Sequence, residues 1–245
     1  MTSFSNPTVH PCPGCSAFFL KSHLRTINFF GVQDWSDGKP TAWWRQEPLV
    51  RCNACAALFW LDDTVAVGTM PLMPQKMGAF TYSWLPWRRR HLPDQDARRL
   101  ANRLWGDPQH IGAANVDDVV HVLSRSRGVS DQRLLWLRKR IWWELNDRYR
   151  HQCDGAPLHD VPVWPQWAER NNMQAILDML DGGEITADQM IQRGELLRLL
   201  GRFDEAIAVL KAVPADGHTE VRAVRIERLA RKKDTHVRLL SPFTL

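Results

Sequence analysis

The chain has 245 residues, of which 44% are hydrophobic and 24% charged, which is ordinary for a soluble globular protein with one large or two modest domains. No run of residues approaches the roughly 18 apolar positions that a membrane span needs, and the N-terminus has neither a basic start nor an apolar stretch. We therefore expect a cytoplasmic protein that makes no membrane contact.

The net charge of +5 is unevenly distributed along the chain. Basic and acidic groups balance over residues 1–65, whereas residues 66–110 carry seven basic groups against three acidic ones. A second excess, again seven against three, lies in residues 219–245. The pattern favours two local basic surfaces over a uniformly cationic protein.

Residues 9–62 contain short aromatic and β-branched runs that alternate with turn signals, which predicts a small β-module. Two C-x-x-C pairs lie within it, Cys12 with Cys15 and Cys52 with Cys55. Each pair is typical of a knuckle, a turn in which two thiolates point at one ion while backbone N–H groups face the sulfurs. Four thiolates complete a tetrahedral shell with no open position, so the sequence predicts one structural zinc ion in a zinc-ribbon module.

A redox-active cysteine pair and an iron–sulfur cluster are the alternatives to zinc, and the redox alternative lacks the βαβ context that it needs. The two knuckles are separated by 36 residues, more than the about 15–20 of compact ribbons. A hairpin at Asp37-Gly38 explains this length, because glycine accepts the positive φ that such turns demand, and we expect the hairpin to pack against the helices. The fifth cysteine, Cys153, is predicted to be an ordinary thiol.

Residues 66–110 are predicted to form an extended connector, rich in proline, tryptophan and arginine, and a first helix. The connector contains a basic and aromatic group of residues, Trp84, Trp87, Arg88, Arg89 and Arg90. This group would suit stacking on bases and contact with phosphates, or it could cover an apolar gap with its rings while the arginines face water. It is our candidate partner-binding surface, and nucleic acid is the alternative partner that it suggests.

After Pro93 the apolar period becomes that of helices. Asp94 and Asn115 are predicted to cap the first two helices, and Ser130 opens the longest one, whose broad apolar face predicts deep burial. Further helices are predicted at about 166–180, 186–200, 203–213 and 219–233.

Residues 186–213 resemble one tetratricopeptide repeat. The matching positions are Gly194, Leu200-Gly201, Phe203, Ala206 and Leu210. Arg193 and His218 depart from the pattern, because a leucine and a proline are usual there. No second copy is evident, so the resemblance implies a single helical hairpin packed within a larger helical domain.

A polar stretch at residues 151–160 gathers nucleophile, base and carboxylate types, namely His151, Cys153, Asp154, His159 and Asp160. Proximity in sequence is weak evidence for catalysis, because triads are recognised by geometry. The sequence has no nucleophile elbow, H-E-x-x-H motif, phosphate-binding glycine loop or dinucleotide fingerprint. We expect an irregular polar loop here and a protein that is not an enzyme.

The sequence predicts an α+β fold, with a β zinc ribbon at residues 1–65 packed on a mainly α-helical domain at 111–245. Residues 12–62 and the segments RIWWELNDRYR and GELLRLLGRFDEAIAVL resemble uncharacterised bacterial proteins that join a zinc ribbon to tetratricopeptide-like helices. This resemblance implies the architecture and a bacterial setting, but no activity. The expected function is that of a non-catalytic adaptor or scaffold that binds another protein, with an immunity-type protein as a specific form. A nucleic-acid-associated factor is the alternative.

Overall fold

The computed structural model of the chain describes residues 3–26, 33–40, 47–71, 93–106, 108, 111–154, 164–181, 185–214 and 217–240. These residues form an α+β architecture, as predicted, with antiparallel sheets in the N-terminal part and packed helices after it. None of the described helices combines the length and the apolar character that a membrane span requires.

The chain divides into two compact units, each made of two pieces. The first consists of Met1–Phe30 and Trp44–Ala114, and the second of Gly31–Trp43 and Asn115–Leu245. Residues 31–43, the middle of the segment between the two cysteine pairs, are therefore part of the helical unit, whereas our sequence boundaries placed them in the N-terminal module.

The first unit contains two antiparallel three-stranded sheets. Their strands are β1 (Ser3–Pro11), β2 (Phe18–Thr26), β3 (Leu49–Arg51), β4 (Leu58–Trp60), β5 (Gly68–Thr69) and β6 (Gly112–Ala113). The strand orders are β2-β1-β5 and β4-β3-β6. A 3-10 turn follows β4 at Leu61–Asp63, and helix α1 spans Pro93–Trp105.

The hairpins β1–β2 and β3–β4 repeat one another 40 positions apart in the chain. His10 pairs with Phe19 in the first hairpin, and Val50 pairs with Phe59 in the second. The ring centroids of Phe19 and Phe59 are 5.4 Å apart, and both rings belong to one buried cluster. Strands of three residues are marginal by themselves, so β3 and β4 depend on this shared core.

Strand β5 lies in the predicted connector and is fixed by a close approach to α1. A Cβ at Gly68 would lie 2.2 Å from the ring of Trp105, so only glycine allows this approach. Gly68 also pairs with Val9 of β1, which is fully buried beside Met70 and Ala101. The start of the connector is therefore a third strand of the first sheet.

The described helices of the second unit are α2 (Val116–Ser124), α3 (Asp131–Asp154), α4 (Gln166–Leu180), α5 (Ala187–Leu199), α6 (Phe203–Lys211) and α7 (His218–Arg231). Asn115 caps α2 and Thr186 caps α5, each in a capping box that satisfies backbone N–H groups in both directions. Prediction and structure differ at the end of α3, because residues 151–154 continue this helix instead of forming an irregular loop.

Helices α5 and α6 form the helical hairpin that the sequence predicts. Gly194 allows the close contact of the pair, since a Cβ there would lie 2.5 Å from Cγ of Leu210. Ala206 is fully buried between the helices, and Gly201 makes the turn with a φ of +82°. Small residues thus set the distance between the helices, as expected for such a hairpin.

The middle of the segment 33–40, residues 35–37, is buried in the second unit. Trp35 is 1% exposed and forms an isolated antiparallel bridge with Leu239, while the N–H of Gly38 donates to the carbonyl of Trp35 at 2.9 Å. The positive φ predicted for Gly38 is confirmed at +67°. Within residues 33–40 the hairpin prediction is wrong, because Trp35 pairs with the distant Leu239 and the described residues on the two sides of the turn form no ladder with each other.

A buried polar network fixes this segment and the C-terminal segment to α5. The carboxylate of Glu195 accepts from the hydroxyl of Ser36 at 2.6 Å and from the guanidinium of Arg198 at 2.7 Å. Arg198 also donates to the carbonyl of His236 at 2.9 Å. Burial disfavours the charged guanidinium, but the carboxylates of Glu195 and Asp234 outweigh it and raise the pKa of Arg198. The fully buried side chains of Glu195 and Arg198 thus form an ion pair, which offsets the cost of burying their charges.

Candidate metal centre

Each C-x-x-C pair forms the turn that joins the two strands of its hairpin. In the first turn, the N–H of Cys12 donates to the carbonyl of Ala17 at 2.9 Å, and the N–H of Ser16 donates to the carbonyl of Cys12 at 2.8 Å. The second turn has the same two bonds at the same lengths, from Cys52 to Ala57 and from Ala56 to Cys52.

The residue after the second cysteine has a positive φ in both turns, 62° at Ser16 and 59° at Ala56. This left-handed residue turns the chain back into the following strand, at a conformational cost of about 1–2 kcal/mol. The two turns are therefore equivalent knuckles that present two sulfurs each.

The four sulfurs converge on one point. The Sγ atoms of Cys12 and Cys55 are 3.8 Å apart, as are those of Cys15 and Cys52, and all four lie within 4.8 Å of one another. A disulfide requires about 2.05 Å, so the four are free thiols. Four sulfurs at about 2.3 Å from a central zinc ion would be about 3.8 Å apart along each tetrahedron edge. The cluster is thus consistent with one metal ion.

Backbone N–H groups surround the sulfurs in the same way in both knuckles. The N–H of Gly14 lies 3.3 Å from the sulfur of Cys12 and points at it. The N–H groups of Ala54 and Cys55 make the corresponding approach to Cys52. Such bonds stabilise the thiolate and orient it, as outer-shell groups do in metal sites.

The thiols differ in how readily they ionise. Burial raises the pKa of Cys12 and outweighs the hydrogen bond from the N–H of Gly14. Burial also favours the neutral thiol of Cys52, but the N–H groups of Cys55 and Ala54 and the neighbouring thiols lower its pKa to about 7. Cys52 therefore begins to ionise near neutral pH even before a metal ion arrives.

The cluster has an inner and an outer side. Cys12 and Cys52 are buried, with 2% and 5% exposure, whereas Cys15 and Cys55 are exposed. The buried pair belongs to the same cluster as the two phenylalanine rings. The sulfur cluster therefore continues the apolar core of the first unit to its surface.

The side chains of the other predicted site residues are outside the part of the chain that the structure describes. Trp84, Trp87, Arg88, Arg89 and Arg90 lie outside the described residues, as do His159 and Asp160. His151, Cys153 and Asp154 belong to the last turn of α3, and the structure describes only their backbone. The partner-binding role of the connector stays a prediction.

The sequence also contains an internal repeat that predicts the two equivalent hairpins. Cys12-x-x-Cys15-x-Ala17-x-Phe19 recurs as Cys52-x-x-Cys55-x-Ala57-x-Phe59. This spacing alone would have predicted two equivalent hairpins with the same register. It would also have indicated a strand before the first knuckle, where the structure has β1 and our β-module began only at residue 9.

The structure thus has a four-cysteine cluster in an N-terminal β region, followed by a helical domain. Comparison with known protein families, curated proteins and solved structures finds no match for the chain.

Proposed function

We propose that this chain is a non-catalytic protein-binding protein, of the adaptor or scaffold type, whose N-terminal unit is a zinc ribbon held by one structural zinc ion. The observation that carries the proposal is the closed shell of four sulfurs from two equivalent knuckles. Four thiolates fill the tetrahedral coordination of zinc, so water or substrate has no free position on the ion. The metal in such a site contributes folding free energy to the unit.

A single ion is proposed over an iron–sulfur cluster because the four sulfurs converge on one point. Four sulfurs bound tetrahedrally to one zinc ion are about 3.8 Å from one another. The two sulfur pairs that join the knuckles have this distance. A four-sulfur shell suits zinc and iron–sulfur chemistry alike by its ligand type, so the metal content must be measured.

Protein binding is supported by the way the described surface combines packed helix pairs with exposed apolar side chains. Trp167 on α4 is 68% exposed, and tryptophan is among the residues that most often anchor interfaces. In the first unit, Leu100 and Leu104 are 57% and 60% exposed one turn apart on α1. Leu100 and Leu104 lie on the same face of α1, so together they expose a small apolar surface to which a partner protein can bind.

The test has two parts. Metal analysis of the protein purified without added metal should give about one zinc per chain, and iron with visible absorption would contradict the zinc assignment. The tagged full chain should enrich a specific protein from the native extract, and this protein should bind again after purification. If nothing is enriched over a tag-only control, the protein-binding proposal fails.

A further inference from the structure

Helix α7 and the C-terminal segment enclose a shallow basic groove. Its lining residues are Arg225, Arg228, Leu229, Lys232, Arg238, Leu239 and Leu240, and its volume is about 190 Å³. None of these described lining residues is acidic. We call this site the α7 groove.

Two cations of the α7 groove are free to meet a ligand. Arg228 and Lys232 are exposed, and within the described part of the chain neither has a carboxylate in ion-pair distance. Residues four apart on a helix lie about 6 Å apart along its axis, on the same face. The groove thus presents two positive charges one helical turn apart.

The other two cations are already engaged and shape the groove. Arg225 donates to the carbonyl of Leu240 at 3.0 Å, and Arg238 pairs with Asp234 at 2.7 Å. The carboxylates of α7 itself do not share the face of the groove cations, because Glu220 and Glu227 lie about 120–160° around the helix from Arg225 and Lys232 and about 80–100° from Arg228. Glu227 is moreover paired with Arg231 at 2.6 Å.

The second wall of the groove is firmly held. The N–H of Ser36 donates to the carbonyl of Arg238 at 2.8 Å, and the N–H of Leu240 donates to the carbonyl of Asp34 at 2.7 Å. Leu240 is buried, while Leu239 remains 38% exposed at the groove. A ligand would therefore meet a preformed site, which avoids the free-energy cost of ordering a loop.

Apolar surface accompanies the charges. Val221 is 46% exposed on the same face of α7, about two turns before Arg228, and Leu229 and Leu239 line the groove. Among the described residues, no aromatic ring lines the α7 groove, although stacking on rings is a main contribution to single-strand binding. Cations with aliphatic neighbours fit an acidic protein segment better than a nucleic acid.

We propose that the α7 groove binds an acidic amphipathic segment of a partner protein. Two carboxylates about one turn apart would pair with Arg228 and Lys232, and aliphatic side chains would cover Leu239 and Val221. This inference rests on the proposed protein-binding function and names the surface and the chemistry of the partner. The overall net charge of +5 favours the approach of such a segment.

The experiment measures binding of a fluorescein-labelled peptide to the zinc-loaded full chain by anisotropy. The peptide has about 15 residues, enough for a helix, with glutamates one turn apart next to leucines. We expect saturable binding that weakens about tenfold or more in an Arg228→Glu/Lys232→Glu variant and also with a glutamine version of the peptide. Binding of the peptide to the parent should also weaken as the salt concentration rises from about 0.05 M to 0.3 M.

The matched control is Arg125→Glu/Arg127→Glu, which makes the same charge change at two exposed arginines after α2. This variant should bind the peptide within about threefold of the parent, since only general charge is altered. Equal weakening in both variants would overturn the proposal, as would the absence of peptide binding. Tight binding of labelled single-stranded or duplex DNA at the groove, without peptide binding, would assign it to nucleic acid instead.

The two proposals can fail separately. If the full chain still binds a purified partner protein and the groove variant binds it equally well, the groove assignment is wrong while the protein-binding function stands. If the parent binds neither the peptide nor any protein, both proposals fail.

Discussion

Gly14 of the first knuckle lies directly against Ala57 of the second. A Cβ at position 14 would lie 2.8 Å from Cβ of Ala57 and 3.3 Å from Sγ of Cys55. Neither neighbour is the end of a flexible side chain, so the two knuckles would have to move apart to make room. The absence of a Cβ at position 14 thus sets the distance between the two sulfur pairs.

We predict that Gly14→Ala destabilises the zinc-loaded protein by about 1–3 kcal/mol, the usual effect of overpacking. It should also weaken zinc binding, measured by competition with a chromophoric chelator, because the separated knuckles no longer fit one ion. The matched control is Ala54→Ser, which adds one atom at the exposed equivalent position of the second knuckle. Equal zinc affinity in Gly14→Ala and the parent would contradict the prediction.

Removal of one sulfur should abolish stoichiometric zinc binding. We predict that Cys52→Ser purifies with well under one zinc per chain, since three thiolates leave the shell open. Its thermal unfolding should begin at a lower temperature than that of the parent, whose site holds the metal. Cys153→Ser makes the same chemical change in the last turn of α3 and should retain one zinc. A Cys52→Ser protein that folds and holds zinc like the parent would rule out the structural role.

Local signals in the sequence are sufficient for most of the helices and for grouping the four cysteines. Asn115 is predicted correctly as a cap because a cap acts on backbone groups within three residues, so no distant partner must be known. The helical hairpin could be predicted from Gly194 and Ala206, because their small side chains allow the two helices to approach closely.

The partners of residues that pair over long distances in the chain could not be predicted from local sequence signals. Trp35 and Asp37 looked like part of a hairpin, because a turn signal does not reveal which strand its neighbours will pair with. Their partners are more than 100 positions away, Leu239 for Trp35 and Arg150 for Asp37. Strand β1 was missed because its residues Ser3–Pro11 include little apolar alternation.

The buried carboxylate of Asp37 should be essential for the second unit. Its side chain has no exposed surface, pairs with Arg150 and accepts from the amide of Asn146 at 2.9 Å. We predict that Asp37→Ala lowers the free energy of unfolding by about 2–4 kcal/mol, because it leaves buried donors without an acceptor. Denaturant unfolding followed by far-UV circular dichroism measures this change.

The control for this change is Asp188→Ala. Asp188 is 75% exposed and lies 3.7 Å from Arg222, so its removal should change the free energy of unfolding by less than about 1 kcal/mol. An equal loss of unfolding free energy in the two alanine variants would contradict the prediction that burial makes the Asp37 ion pair important for stability.

The contact between Gly194 and Leu210 predicts a non-additive pair of substitutions. Gly194→Ala would gain helix propensity, about 1 kcal/mol, but its Cβ would collide with Leu210, so we expect a net loss of about 1–3 kcal/mol. Leu210→Ala alone should lose about 2–5 kcal/mol by leaving a cavity. In the double variant the new methyl group partly fills that cavity, so the combined loss should be smaller than the two single losses together. Additive losses would show that the helices do not meet at these residues.

The last prediction concerns the pH dependence of stability at Asp234. Burial disfavours ionisation of this carboxyl, but the guanidinium of Arg238 and the N–H of His236 outweigh it and lower its pKa from the ordinary 3.8. A carboxyl with a lowered folded pKa stabilises the fold above its unfolded pKa, and this stabilisation is lost as the pH falls through the folded value. Asp234→Asn should therefore be less stable than the parent near neutral pH, and the difference should shrink below pH 3.8.

Urea unfolding of the parent and of Asp234→Asn at about pH 6 and about pH 3 measures the two differences, and loss of metal in acid affects both proteins alike. Arg238→Ala keeps the carboxylate but removes its strongest partner, so it should reduce the same pH-dependent contribution. If the stability difference between the parent and Asp234→Asn is the same at both pH values, then the pair of Asp234 with Arg238 does not stabilise the C-terminal segment through charge. In that case the wall of the α7 groove would be held by the backbone bonds of Arg238 and Leu240 alone.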